Sequence, residues 1–299
     1  MKKRILAFIL ATLMSFTLVS FANPKEKENP QPSPRPIIIQ GAMDVETENL
    51  VAQLQNVEKI TYGGWLFFKG TVDNYPVVVT KTEIGMTNAA ASTLLAIEKF
   101  NPLAIINQGT SGGHDPALHR YDIVIGKKSV NFGSFRSEHS DYNKGIHAEN
   151  WIPMDINVSV NGEIKELKDF EGNTTLIETA KSVMNTYKKG KVVEGVIGSA
   201  DQWNRELDRI KWIHEKYATS VEEMETASAA QIAKTYKVPF LGIRILSNSE
   251  IHDEGYDRNS GEYCQDFVLK VTKKLIQQAR QNKDFLQYKD ESTNNTTIQ

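Results

Sequence analysis

Val221-Glu222-Glu223-Met224-Glu225-Thr226-Ala227 places three carboxylates around one methionine, where a β-branched run passes straight into a helical pattern. A packed core has no use for that much charge. A site that holds hydroxyl groups does, because a carboxylate accepts several hydrogen bonds at once. The same grammar recurs along the chain. Short apolar runs at 37–39, 103–107, 123–125, 192–197, 220–221 and 240–246 each end in a small, polar or glycine-rich cluster. An amphipathic stretch covers 44–57, and helical patterns cover 87–100, 175–187, 225–236 and 263–279. Residues 65–72 and 77–81 read as a strand pair around a turn at Asn74. Apolar strands buried on both faces and separated by helices predict an α/β protein with a layered sheet. Ligands of such sheets sit beyond the carboxyl ends of the strands.

The 299 residues suffice for one large domain or two small ones. Net charge is -2 and basic residues are not clustered, which argues against a nucleic-acid surface. Residues 1–22 read as a signal peptide. Lys2, Lys3 and Arg4 precede an apolar run over 5–19, and Ser20-Phe21-Ala22 supplies the small-x-small cleavage pattern. The alternative is a membrane anchor, but the run is shorter than the roughly 20 residues of a bilayer span. Cleavage after Ala22 leaves no expected membrane contact. Cys264 is the only cysteine, so neither a lipoprotein anchor nor an intramolecular disulfide is expected. Residues 23–36 hold five of the ten prolines and read as an extended linker. A single catalytic domain is expected over 37–280 and a polar tail over 281–299. The expected location is periplasmic or secreted, in a bacterium.

Several strand ends could carry chemistry, and each has a plainer reading. Gln40-Gly41-Ala42-Met43-Asp44-Val45-Glu46 offers Glu46 as a general base. It equally offers carboxylates that complement a helix N-terminus. Asn107-Gln108-Gly109-Thr110-Ser111-Gly112-Gly113 reads as a glycine-rich turn, either facing a ligand or simply tight. It lacks the Walker lysine and the dinucleotide glycine spacing, so a nucleotide phosphate is not favoured. Trp203 is either an apolar wall against an aromatic ring or a core residue. Ser247 and Asn248 are either ligands or turn formers. His139 and His147 have no metal-ligand pattern around them.

Taken in order, the segments GAMDVE, TEIG, INQGTSGG, GSADQWN, VEEMETASAAQIA and VPFLGIRILSNSE resemble the purine/uridine phosphorylase superfamily, from residue 37 to about 278. The 5′-methylthioadenosine/S-adenosylhomocysteine nucleosidase branch is the most similar. The resemblance implies a three-layer α-β-α sandwich around a central mixed sheet, no cofactor or metal, and a homodimer. It implies cleavage of the N-glycosidic bond of a purine nucleoside through a transition state with oxocarbenium character. Glu46 would deprotonate the attacking water, and Thr82 would help hold it. Glu225 would accept the 2′ and 3′ hydroxyls beside Met224. Trp203 would stack on the purine, and the Asn204 backbone would meet the base edge. Gly109 and Ser247 would also belong to the substrate site.

Phosphorylases of this kind need cations for phosphate, including an arginine on the strand before the glycine-rich segment. Here Ile106-Asn107-Gln108 has none, and the first strand ends in Asp44 and Glu46, so water is favoured as nucleophile. Arg244, inside the last strand, reads as the structural partner of a buried acid. A phosphorylase and a non-catalytic storage protein on the same fold are the alternatives. Three departures stand out. Asn248 replaces the aspartate that meets the leaving base at N7. An amide can hydrogen-bond N7 but cannot act as an acid. Glu83 replaces a glycine near the water site. The polar stretch 132–173 is long for a connection, and is expected to rim the 5′ side of the pocket or a subunit interface.

Overall fold

The structure is a computed structural model and describes residues 33–282 and 284–286. The signal-peptide segment, most of the linker and most of the tail lie outside the described residues. The chain runs β1 (Ile37–Gly41), α1 (Asp44–Ala52), β2 (Gln55–Tyr62), β3 (Trp65–Val72), β4 (Tyr75–Lys81), α2 (Met86–Phe100), β5 (Ala104–Gly113) and β6 (Ile123–Asn131). Five short strands follow: β7 (Phe135–Arg136), β8 (Ile152–Pro153), β9 (Ile156–Val160), β10 (Glu163–Leu167) and β11 (Phe170–Glu171). The remainder is α3 (Thr174–Ser182), β12 (Val192–Ser199), α4 (Leu207–Tyr217), β13 (Thr219–Glu223), α5 (Thr226–Thr235), β14 (Phe240–Asn248) and α6 (Ser260–Gln281).

Successive side chains of a strand face opposite ways, and here both faces are apolar. Ile37, Ile39, Val77, Val79 and Ile106 face a core closed by Leu50 of α1, Leu176 of α3 and Phe267 of α6. Ile38, Val78 and Ile105 face the other core, closed by Ala96 and Ile97 of α2 and by Ala229 and Ala233 of α5. The result is a three-layer α-β-α sandwich around a mixed sheet of ten strands. β1 lies parallel between β4 and β5. Beyond β5 the sheet curls shut. β5 pairs with β14, β14 with β6, β6 with β12, β12 with β13, and β13 with β5 again. Irregularities at Gly195/Val196 and Leu246/Asn248 accompany the curl, as bulges do where a strand bends.

Closing that ring needs backbones closer together than side chains allow. The segment 109–113, expected as a turn, is therefore strand. Ser111 pairs with Leu246, Gly112 with both Asn248 and Glu222, and Gly113 with Val221. The carboxyl ends of β5, β13 and β14 thereby meet around Gly112.

Two further elements depart from the sequence reading. β2 is an edge strand with a mostly exposed, polar sequence. α4 shows only Ile210 and Ile213 as buried positions among charged residues. The stretch 132–173 forms the β7–β8 pair, the β9–β10 hairpin and β11, which joins β6. Val158 and Val160 of the hairpin pack into the α2/α5 core. Packing also continues beyond the sheet at both ends. The Leu103 N–H donates to Pro36 O at 2.8 Å, the Tyr75 hydroxyl to Arg35 O at 3.1 Å, and Leu286 is buried in the α6-side core.

Gly195 marks the tightest part of the ring: a Cβ there would lie 2.4 Å from Ser220 Oγ and 2.8 Å from Val124 Cγ1. Gly195→Ala is expected to cost about 1–3 kcal/mol by overpacking, read as a lower denaturant midpoint with an unchanged slope.

Candidate active site

A cavity of about 330 Å³ opens at the carboxyl ends of the strands, and Glu46, Glu222, Glu223 and Glu225 all line it. Among the described residues, no lysine or arginine lines it. Glu46 enters from the first turn of α1. Its Oε2 accepts the Ala42 N–H at 2.8 Å and the Met43 N–H at 3.1 Å. Its Oε1 accepts the Thr110 N–H at 2.7 Å and the Thr110 hydroxyl at 2.9 Å. The two readings of this residue are thus compatible: the carboxylate serves the helix end and faces the cavity. Gly109 contributes by absence. A Cβ there would come within 2.6 Å of Glu46 Oε1. Thr110, which the sequence reading did not single out, holds the carboxylate with two donors.

The three acids of the 221–227 stretch separate into three roles. Glu223 turns inward to Arg244, whose Nε donates to its Oε2 at 3.0 Å, with Nη2 closer still. Arg244 Nη2 also donates to Asn107 Oδ1 at 2.5 Å. Burial pushes the Glu223 carboxyl up, but Arg244, the Ser199 hydroxyl and the Thr226 N–H outweigh it and hold it below the usual range. Glu225 stands at the start of α5. It accepts the Gly85 N–H at 2.9 Å and is 3.7 Å from Arg244 Nη2. Burial and the charge of Glu223 push its carboxyl up to about 8, with Arg244 opposing. The loop that supplies Gly85 is tied to the opposite wall, since Asp201 Oδ1 accepts the Met86 N–H at 2.7 Å.

Glu222 points to the far end. Its Oε1 accepts the Asn204 N–H at 2.8 Å and its Oε2 the Asn204 amide at 2.5 Å. Trp203 and Tyr256 line this end as a T-shaped pair with centroids 6.3 Å apart. Trp203 is 63% exposed, so it is a wall of the mouth and not a core residue. Met224, Ser247 and Asn248 line the cavity as well. Three residues named from sequence do not line it. The Thr82 hydroxyl is fully buried and turned to the carbonyls of Glu83 and Gly41, at 3.0 and 3.4 Å. Gly109 lies behind Glu46. The backbone N–H of Asn204 is already engaged by Glu222. No residue of 132–173 lines the cavity, so of its two expected places, the 5′ side of the pocket or a subunit interface, this chain does not show the first.

The family model of the phosphorylase superfamily matches residues 36–280. The chain belongs to that superfamily. Similar curated proteins within it are 5′-methylthioadenosine/S-adenosylhomocysteine nucleosidases of Bacillus cereus and Bacillus thuringiensis. Each is 29% identical over 245 residues, covering 80% of this chain and 99% of the relative. Among solved structures, the nucleosidase of Neisseria meningitidis in complex with methylthio-immucillin-A has a TM-score of 0.65 at 23% identity, covering 80% of this chain and 99% of that one. The futalosine hydrolase of Helicobacter pylori has a TM-score of 0.66 at 24% identity, covering 80% and 97%. These structures share the superfamily's fold. Among the described residues, no group of three or more histidine, cysteine, aspartate or glutamate side chains is placed to hold a metal ion.

Glu225 makes the stability of this superfamily member pH-dependent in a defined direction. The folded protein retains the Glu225 proton up to about pH 8, while the unfolded chain loses it near 4.5. Its contribution to stability is therefore complete below pH 4.5 and lost as pH rises to about 8. Denaturant titrations at pH 5 and pH 9 should show a loss that Glu225→Gln reduces by an amount on the order of a few kcal/mol.

Proposed function

We propose that this protein is an N-glycosyl hydrolase that splits purine nucleosides of the 5′-methylthioadenosine or S-adenosylhomocysteine type with water. The observation that carries the proposal is the charge of the cavity. Four glutamates line it, no lysine or arginine among the described residues does, and two cations behind its walls are already committed. Arg244 is paired with Glu223. Lys81, at the end of β4, is 2.8 Å from Asp44 and 3.4 Å from Glu83. A phosphate dianion would meet the Glu46 carboxylate with no lysine or arginine in the lining to offset it, whereas water and sugar hydroxyls meet acceptors. The curated relatives, nucleosidases by name, support the same class.

Glu46 is the general base in this reading. Four donors hold its carboxylate in one orientation, and a turn of the Thr110 hydroxyl away from Oε1 frees that oxygen to polarise a water. Glu225 takes the ribose hydroxyls. Their donors favour its ionised form, so binding and loss of its proton are linked. Trp203 gives the base a flat wall, and the Asn248 amide donates to a base nitrogen. Asn248 and Ser247 are joined by a 3.0 Å side-chain hydrogen bond that orients the amide. The proposal extends to export through the signal peptide of residues 1–22 and to a homodimer, which sedimentation of the mature chain would test.

The decisive measurement is release of free base from methylthioadenosine, S-adenosylhomocysteine, adenosine and inosine, with and without phosphate. At least one nucleoside should be cleaved at a rate indifferent to phosphate, and Glu46→Gln should lower kcat about 100-fold or more. A phosphate requirement would establish the phosphorylase instead, and no release from any of the four would leave only a binding role. Asn248→Asp should raise the rate on adenine nucleosides. A fall in that rate would show that the amide is matched to another base.

A further inference from the structure

Hydrolysis leaves one step without a residue. As the C1′–N9 bond breaks, its electron pair goes to the base, which departs as a neutral purine only if a ring nitrogen gains a proton. Asn248 cannot supply it, because an amide lends hydrogen bonds and keeps its protons. We propose that Glu222, with His114 behind it, is the acid that protonates the departing base. The inference rests on the hydrolytic reading above.

Three observations place the pair. Glu222 lines the cavity at the end that holds Trp203 and Asn248. A Cβ on Gly112 would lie 3.5 Å from Asn248 Nδ2 and 3.7 Å from Glu222 Oε1, so the bare glycine leaves both side chains facing one gap. Behind Glu222, the wholly buried His114 brings Nε2 to 3.1 Å from Glu222 Oε2. That nitrogen is off the line of a good hydrogen bond and has no other partner. The opposite nitrogen, Nδ1, lies 2.8 Å from Thr219 Oγ1. A buried imidazole whose two nitrogens lie 3.1 Å from the Glu222 carboxylate and 2.8 Å from the Thr219 hydroxyl is placed to relay a proton to that carboxylate. The other acids are committed elsewhere: Glu46 to the Thr110 end, Glu225 to the Gly85 loop, and Glu223 to Arg244.

The step balances. Glu222 passes its carboxyl proton to a ring nitrogen of the base, and its carboxylate is reprotonated from behind through the His114 ring, 3.1 Å from Oε2. The C1′–N9 electron pair moves onto the base, and water oxygen bonds to C1′ as its proton passes to Glu46. Free base and free sugar leave. Glu46 then gives a proton to solvent and His114 recovers one, so the cycle consumes only water. Asn204 keeps Glu222 in place through both carboxylate oxygens. Arg209 of α4 is close enough to Glu222 to feel its charge, while Glu46 and Glu223 are the other carboxylates facing the cavity and Glu225, raised to about 8, faces it as the acid.

The test compares leaving groups and pH profiles. Glu222→Gln and His114→Gln are assayed on the best purine nucleoside and on 4-nitrophenyl riboside, whose phenolate leaves without a proton. The expected result is a fall in kcat of about 100-fold or more on the nucleoside, with KM within about threefold and the nitrophenyl rate nearly kept. The wild-type kcat on the nucleoside should fall at high pH. Equal losses on both substrates or an unchanged nucleoside kcat would overturn the assignment. A wild-type kcat on the nucleoside that stays flat at high pH would overturn it without any variant. Wild-type protein that releases no base would sink the hydrolytic reading first, and this one with it.

Discussion

The buried ion pair between Arg244 and Glu223 is the constraint on which the site depends. Both side chains are almost fully removed from water, and neither charge could stay there alone. Arg244 also reaches Asn107 on the neighbouring strand. Glu223 in turn accepts the N–H groups of Glu225 and Thr226, and so starts helix α5. One ion pair therefore joins β5, β13, β14 and the first turn of α5. It sets the direction in which Glu225 leaves the backbone. It also sets the electrostatic conditions there: Glu223 is held ionised, and its charge raises the neighbouring Glu225. Two carboxylates two residues apart thus sit in opposite protonation regimes.

Much of this was legible in the sequence, and the failures have physical reasons. The core strands were readable because both their faces are buried and their apolar runs are unbroken. Glu46 and Glu225 stand out in the sequence as acids at strand ends, and both line the cavity, although Glu46 also serves the helix end that is the plainer reading of such an acid. β5 was misread beyond Gln108. Glycine signals a turn when nothing else is known, but here it marks where three backbones approach one another, and only the closed ring explains that. α4 was missed because its two buried isoleucines are a weak stripe among charges. Thr82 was assigned to the water site by resemblance. Its hydroxyl is spent on two backbone carbonyls, a choice no sequence pattern encodes. Asn204 was placed against the base, but in this structure its N–H belongs to Glu222.

Asn248, Glu222 and His114 gather at one end of the cavity, the first two around Gly112 and the third behind Glu222. Glu83, where relatives often have glycine, helps neutralise Lys81 with Asp44. The long stretch 132–173 adds surface to the α2/α5 core without reaching the cavity.

The first residues of α2 connect two walls of the cavity. The Gly85 N–H holds Glu225, and the adjacent Met86 N–H holds Asp201, from the loop that carries Trp203. In the proposed hydrolase, a sugar held at Glu225 and a base held at Trp203 would act on the same helix end, so the two halves of the substrate would be read through one piece of backbone.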